Sequence, residues 1–75
     1  MFLRDSNGFL INSDRIIKIN IEMNEVFCAV TAHYLNEYNS PNKVTLYKDT
    51  ELQHCQEYLS DLSRKIAVNH QIWEN

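Results

Sequence analysis

The chain has 75 residues, a formal net charge of −3, a pI near 5.4, one glycine, one proline and two cysteines. That composition fits a single small domain over residues 1–75 and excludes a collagen-like chain, a disulfide-dense scaffold and a highly charged disordered tail. A domain this short buries only about 60% of the surface its unfolded chain exposes, so chains of this size commonly gain stability from a disulfide, a metal or a second subunit.

In chain order, the first signal is Ser6-Asn7-Gly8-Phe9. Asn-Gly suits a type I′ turn, which needs positive φ at both central residues, so it predicts a hairpin between residues 2–6 and 9–12. Asn12-Ser13-Asp14 reads as a short turn, because these side chains bond their own backbone. Ile17, Ile19, Ile21 and Met23 then alternate with Lys18, Asn20 and Glu22, the period of a half-buried strand. A two-residue turn at Asn24-Glu25 pairs Met23 with Val26, Ile21 with Cys28, Ile19 with Val30 and Ile17 with Ala32, apolar against apolar on one face. A polar loop at residues 37–42 holds the only proline, and a strand follows at residues 43–48 with Val44 and Leu46 on one face and Thr45 and Tyr47 on the other.

Thr50-Glu51-Leu52-Gln53 fits a capping box and predicts a helix over residues 50–69, with residues 70–75 as a tail carrying Ile72 and Trp73. Its apolar stripe is Leu52, Cys55, Leu59, Leu62 and Ile66, and Asp61 is spaced to pair with Lys65. The chain thus reads as an α+β domain: a four-stranded antiparallel β-meander over residues 1–48 with one C-terminal helix packed on one face (β-β-β-β-α). Parity puts Phe2, Phe9, Ile11, Ile17, Ile19, Ile21, Cys28, Val30, Val44 and Leu46 against the helix. The same parity leaves Leu3, Leu10, Ile16, Phe27, Leu35 and Tyr47 on the uncovered face, which is less polar than an open antiparallel sheet face usually is.

The run Gly8-Phe9-Leu10-Ile11-Asn12-Ser13-Asp14-Arg15-Ile16-Ile17 resembles the "glycine, apolar strand, Asn-x-Asp, Ile" stretch of small bacterial proteins of the flagellar FlbD type. The resemblance implies a shared shape, a short meander with a C-terminal helix. The following segment 26–35 is longer than theirs and lacks their Gly-rich second hairpin, so no functional residue is carried over.

Chemical signatures are sparse. The only glycine lies in a hairpin, and the turn before the helix is Lys48-Asp49-Thr50-Glu51, whose acids repel phosphate, so a nucleotide-binding loop is excluded. Cys28, His33, His54 and Cys55 are the available metal-ligand types. Cys28 and His33 fall on opposite strand faces, and neighbours His54 and Cys55 point about 100° apart on a helix, so no metal or cofactor site is expected. Both cysteines map to the core rather than beside an exposed base, so no catalytic residue is assigned and the chain is not expected to be an enzyme. Tyr34, Tyr38, Tyr47, Tyr58 and Trp73 are either edge-of-core residues or a contact surface.

No apolar run is long enough to span a bilayer, so no membrane association is expected. Residues 1–5 have neither the basic region nor the apolar run of a signal peptide, which makes the cytoplasm the expected compartment and free thiols the expected state of Cys28 and Cys55. The expected function is therefore a small non-enzymatic protein-interaction or regulatory module that self-associates as a homodimer or binds an unidentified protein. Its candidate interaction surface is Leu10, Ile16, Phe27, Leu35 and Tyr47. The alternative is a small nucleic-acid-associated factor using Arg4, Arg15, Lys18 and Lys43 across the sheet, which the acidic balance disfavours.

Overall fold

The structure is a computed structural model that describes residues 2–65. Five strands, one 3₁₀ turn and one helix follow in order: β1 (Phe2–Arg4), β2 (Leu10–Asn12), the turn Ser13–Arg15, β3 (Ile16–Met23), β4 (Cys28–Leu35), β5 (Pro41–Asp49) and α1 (Leu52–Lys65). The class is α+β and the pairing antiparallel throughout, but there is no single four-stranded meander. β1 and β2 form a separate two-stranded sheet, and the main sheet has the order β3-β4-β5. The 3₁₀ turn separates the sheets: the Asn12 side chain accepts the Asp14 N–H at 3.0 Å, and Ile16 N–H closes onto the Ser13 carbonyl. The small hairpin is tied to the edge of the main sheet by Ser6 N–H donating to the Thr45 carbonyl at 2.9 Å.

All three hairpin loops are built by an Asx side chain rather than by a two-residue primed turn. Asp5 Oδ1 accepts from the N–H groups of Asn7 and Phe9 at 2.9 and 2.8 Å, while Gly8, at φ 90°, donates to the Asp5 carbonyl. Asn7 is not left-handed, so the Asn-Gly pair is not a type I′ turn; only Gly8 needs positive φ. Asn24 Oδ1 accepts from Val26 and Phe27, which widens the second turn to residues 24–27 and sets Met23 opposite Cys28. The register therefore differs by two residues from the sequence expectation, with Ile21 opposite Val30 and Ile19 opposite Ala32. A two-residue shift preserves parity, so apolar still meets apolar on one face.

Two bulges change which side chains face the helix. The first, between Ile16 and Lys18, leaves Ile17 as the extra residue. It buries Ile16 and exposes Ile17, the reverse of the parity expectation. The second lies in β5: Val30 faces Tyr47 and Thr31 faces Thr45, with Leu46 the extra residue. It turns Tyr47 to the helix side, where its ring stacks on Tyr58 at 4.7 Å between centroids and 7° between planes. In the small hairpin, Leu3 and Ile11 face inward while Phe2, Phe9 and Leu10 are exposed, so Phe2 and Phe9 leave the expected core and Leu3 enters it.

The core gathers Leu3, Ile11, Ile16, Ile19, Cys28, Val30, Ala32 and Leu46 under Cys55, Leu59 and Leu62 of α1. Leu52, the first residue of the expected stripe, is exposed; Ile66, Ile72 and Trp73 lie outside the described residues, as does the helix end expected at residue 69. The helix entry is made by Asp49, not by a Thr50 capping box: Asp49 Oδ1 accepts the Glu51 N–H at 2.9 Å. Asp61 pairs with Arg64 at 3.3 Å rather than with Lys65.

Candidate functional site

The residues expected to share one exposed sheet face are dispersed by the bulges and loops. Ile16 is in the core and Tyr47 is under the helix. Phe27 stays beside the expected face, at its 24–27 end, where it lines a shallow depression with Ala29, Thr31 and Thr45 and has the Lys48 ammonium 5.0 Å from its ring centroid. Leu10 and Leu35 do come together, in a different place: a cleft of about 520 Å³ between the small hairpin and the β4–β5 end of the main sheet. Leu10 forms its exposed lip with Phe9, at 61% and 71% exposure, and Tyr34, Leu35 and Val44 line the opposite wall.

Of the charged groups around this cleft, Asp5 and Arg15 are committed to internal bonds, and Glu37 adds an exposed carboxylate. The Asp5 carboxylate holds its own turn. The Arg15 guanidinium donates from Nε to the Leu35 carbonyl at 2.8 Å, and from Nη2 to the Asn36 carbonyl and to Asn39 Oδ1. Arg15 thus fastens the 36–40 loop, whose Asn36 side chain accepts from Tyr38 and Ser40 and whose Asn39 is left-handed at φ 60°. What remains for a visitor is shape, the apolar surface of Phe9, Leu10, Leu35 and Val44, and the Glu37 carboxylate. Sequence parity missed the cleft because it assigned faces within one sheet, whereas the cleft lies between two. The residues that could have indicated it are Ser13 and Asp14, since a chain reversal before β3 allows the first hairpin to leave the sheet.

The uncovered face of the main sheet is polar along most of its length, with Phe27 and Ala29 at one end. Register sets Lys18, His33 and Lys43 in one row and Asn20, Thr31 and Thr45 in the next. His33 Nε2 lies 3.2 Å from Asn20 Oδ1, and Lys43 Nζ is 3.4 Å from Glu22. A hydrogen bond from Thr31, and secondarily the Lys43 ammonium, hold the Glu22 carboxyl below its usual range.

At the strand–helix junction, Asp49 joins three partners. Its Oδ2 accepts the Tyr47 hydroxyl at 2.6 Å and lies 3.0 Å from His54 Nδ1, while Oδ1 holds the Glu51 amide. The Tyr47 hydroxyl bond, the Glu51 N–H and His54 bring Asp49 down to about 2, and the same carboxylate pushes Tyr47 up to about 12. An Asp–His pair resembles part of a catalytic triad, but a nucleophile is needed beside the imidazole. Cys55, the neighbouring residue, points about 100° away into the core, where burial first, and the adjacent Cys28 thiol second, push its own thiol up. A raised thiol is protonated and weakly nucleophilic. Among the described residues no three His, Cys, Asp or Glu side chains gather as a metal site, and no helix is long and apolar enough to cross a membrane.

The geometry defines a small α+β protein with an apolar cleft and a polar open sheet face. Comparison with protein-family models, with curated proteins and with solved structures finds no match.

Proposed function

We propose that this chain is a non-enzymatic protein-interaction module, and that a second copy of itself is among its partners. The observation that carries the reading is the cleft between the two sheets: Phe9 and Leu10 are exposed beside Tyr34, Leu35 and Val44, and the nearby Asp5 and Arg15 side chains are bonded internally. A surface that offers contact area and a single free carboxylate, Glu37, with no base or nucleophile beside it, suits a side chain of a protein better than the turnover of a small substrate. Selection of peptides from a random display library on the full chain, followed by amide-shift mapping of one selected peptide, tests it. Shifts concentrated at Phe9, Leu10, Leu35 and Val44, lost in Phe9→Ser/Leu10→Ser, support the cleft; selected peptides that map elsewhere overturn it.

A second reading, nucleic-acid association, is favoured by the cross-strand row of Lys18, His33 and Lys43. It is weaker because Glu22 lies against Lys43, Arg15 is bonded to loop carbonyls and Arg4 is on the separate hairpin. Oligonucleotide binding that falls steeply with added salt would favour this reading over the first.

A further inference from the structure

The main sheet ends at β3, and among the described residues no backbone hydrogen bond from outside the β4 ladder reaches residues 19–22. An open edge of this kind is a template for another strand. What distinguishes β3 is that its sequence is complementary to itself when reversed. Antiparallel pairing centred on Asn20 sets Lys18 opposite Glu22, Ile19 opposite Ile21 and Asn20 opposite Asn20. No other centre does this: centring on Ile19 puts Lys18 opposite Asn20, and centring on Ile21 puts Glu22 opposite Asn20, so both charge pairs are lost. A shift that swaps parity would set Lys18 beside an isoleucine of the helix-side face.

Resting on the self-association part of the reading above, we propose that the β3 edge pairs antiparallel with the β3 edge of a second copy about a two-fold axis through Asn20. The result is a continuous sheet, β5-β4-β3-β3-β4-β5, with both helices on the same face. Lys18 of each chain then faces Glu22 of the other, and Ile19 and Ile21 extend the two apolar layers into one. The two-fold axis makes the interface isologous, so each favourable pair occurs twice. The Ile17 bulge ends the ladder: an extra residue disrupts regular pairing there and closes the edge to further addition. Closure of the pair removes the open β3 edge from both copies.

Sedimentation equilibrium on the full chain tests this with Lys18→Glu, Glu22→Lys, the double swap, and an equimolar mixture of the two single variants. Each single swap turns two attractive cross-strand pairs into repulsive ones and is expected to weaken the dimer by about tenfold or more. The double swap and the mixture both restore opposite charges at both positions, and both are expected to return to within about threefold of the wild type. A wild-type dimer that the single swaps leave unchanged overturns the β3 edge while self-association stands. A monomeric wild type at every concentration overturns both. Amide exchange in the unsubstituted chain reads the edge independently of how the variants fold: protection of alternate amides within residues 18–22 rises with concentration, and flat protection overturns the pairing.

Discussion

The two faces of the β3-β4-β5 sheet are built from the same strands and carry opposite kinds of order. Under α1, Ile19, Val30, Ala32 and Cys55 are fully excluded from solvent and cohere through apolar contact. On the open face, Thr31 is also buried, at 3% exposure, but its surroundings are polar, with His33 bonded to Asn20 and Glu22 bonded to Thr31 and Lys43 across the strands. The difference shows that a small sheet can leave one face to water without an apolar patch if the uncovered side chains satisfy one another. Exposed apolar side chains lie at the margins instead, on Phe9 and Leu10 of the separate hairpin and on Ile17, Met23 and Val26 at the ends of β3 and in the turn after it.

The largest effect is expected on the covered face. Leu59 is 2% exposed in the middle of the helix–sheet contact. Leu59→Ala removes buried methyl groups and leaves a void, and is expected to destabilise the fold by about 2–5 kcal/mol, read as a drop in the denaturation midpoint. The same face shields Cys28 and Cys55, so both thiols should label slowly in buffer and rapidly in denaturant. Fast labelling in buffer would show that the helix opens far more readily than its packing implies.

How much of this was legible in the sequence follows from which signals are local. The alternation of Ile19 and Ile21 and the helix spacing Cys55, Leu59, Leu62 are periodic, and both indicate the right face, while Met23 at the end of the same alternation is exposed. The bulges are not periodic. Nothing in Ile16-Ile17 says which residue is the extra one, and a single inserted residue reverses every parity assignment beyond it, which is why Ile16 and Tyr47 were expected on the wrong side. The division into two sheets was hidden for a similar reason. The short hairpin pairs only Phe2–Arg4 with Leu10–Asn12, and its place is set by the burial of Leu3 and Ile11 in the common core and by a bond from Ser6 to Thr45 across 39 positions, neither of which a local pattern encodes. Of the candidate surface, Leu10 and Leu35 lie together, but across a cleft rather than along a face, which strand parity does not encode.

The loops allow a finer comparison. Residues 5–9 and 36–40 share one geometry: an Asx side chain receives two amides, and a left-handed residue stands three positions later, Gly8 in one and Asn39 in the other. Gly8→Ala meets no atom within 4 Å of the added carbon, so its cost is backbone strain alone, expected at about 1 kcal/mol. Asn39→Gly relieves that strain but also removes the Asn39 Oδ1 acceptor of Arg15, so its net change should be smaller.

Acid titration separates the junction from the open face. Asp49 falls from its ordinary 3.8 to about 2 in the folded chain, so its contribution is complete above about pH 4 and is lost as the pH falls toward 2. Asp49→Asn should flatten that part of the acid limb in a stability-against-pH profile. Tyr47 has the opposite sign: with its value raised from 10.0 to about 12, its contribution is present below pH 10 and is lost on the alkaline side.

The smallest effect is expected from Glu22, on the open face. Its carboxyl is lowered chiefly by the Thr31 hydrogen bond and then by Lys43, so its contribution too is present above its ordinary 4.5 and is lost as the pH falls below that value. Its side chain is 42% exposed and that of Lys43 62% exposed, so water and salt screen the pair heavily. Glu22→Gln keeps the shape and an acceptor for Thr31 while removing the charge, and is expected to cost no more than about 0.5 kcal/mol, less at high salt. A double-mutant cycle with Lys43→Met isolates the ionic part. If that coupling exceeded the cost of Leu59→Ala, the open face rather than the helix contact would be the chief source of stability, and the contrast between the two faces would be reversed.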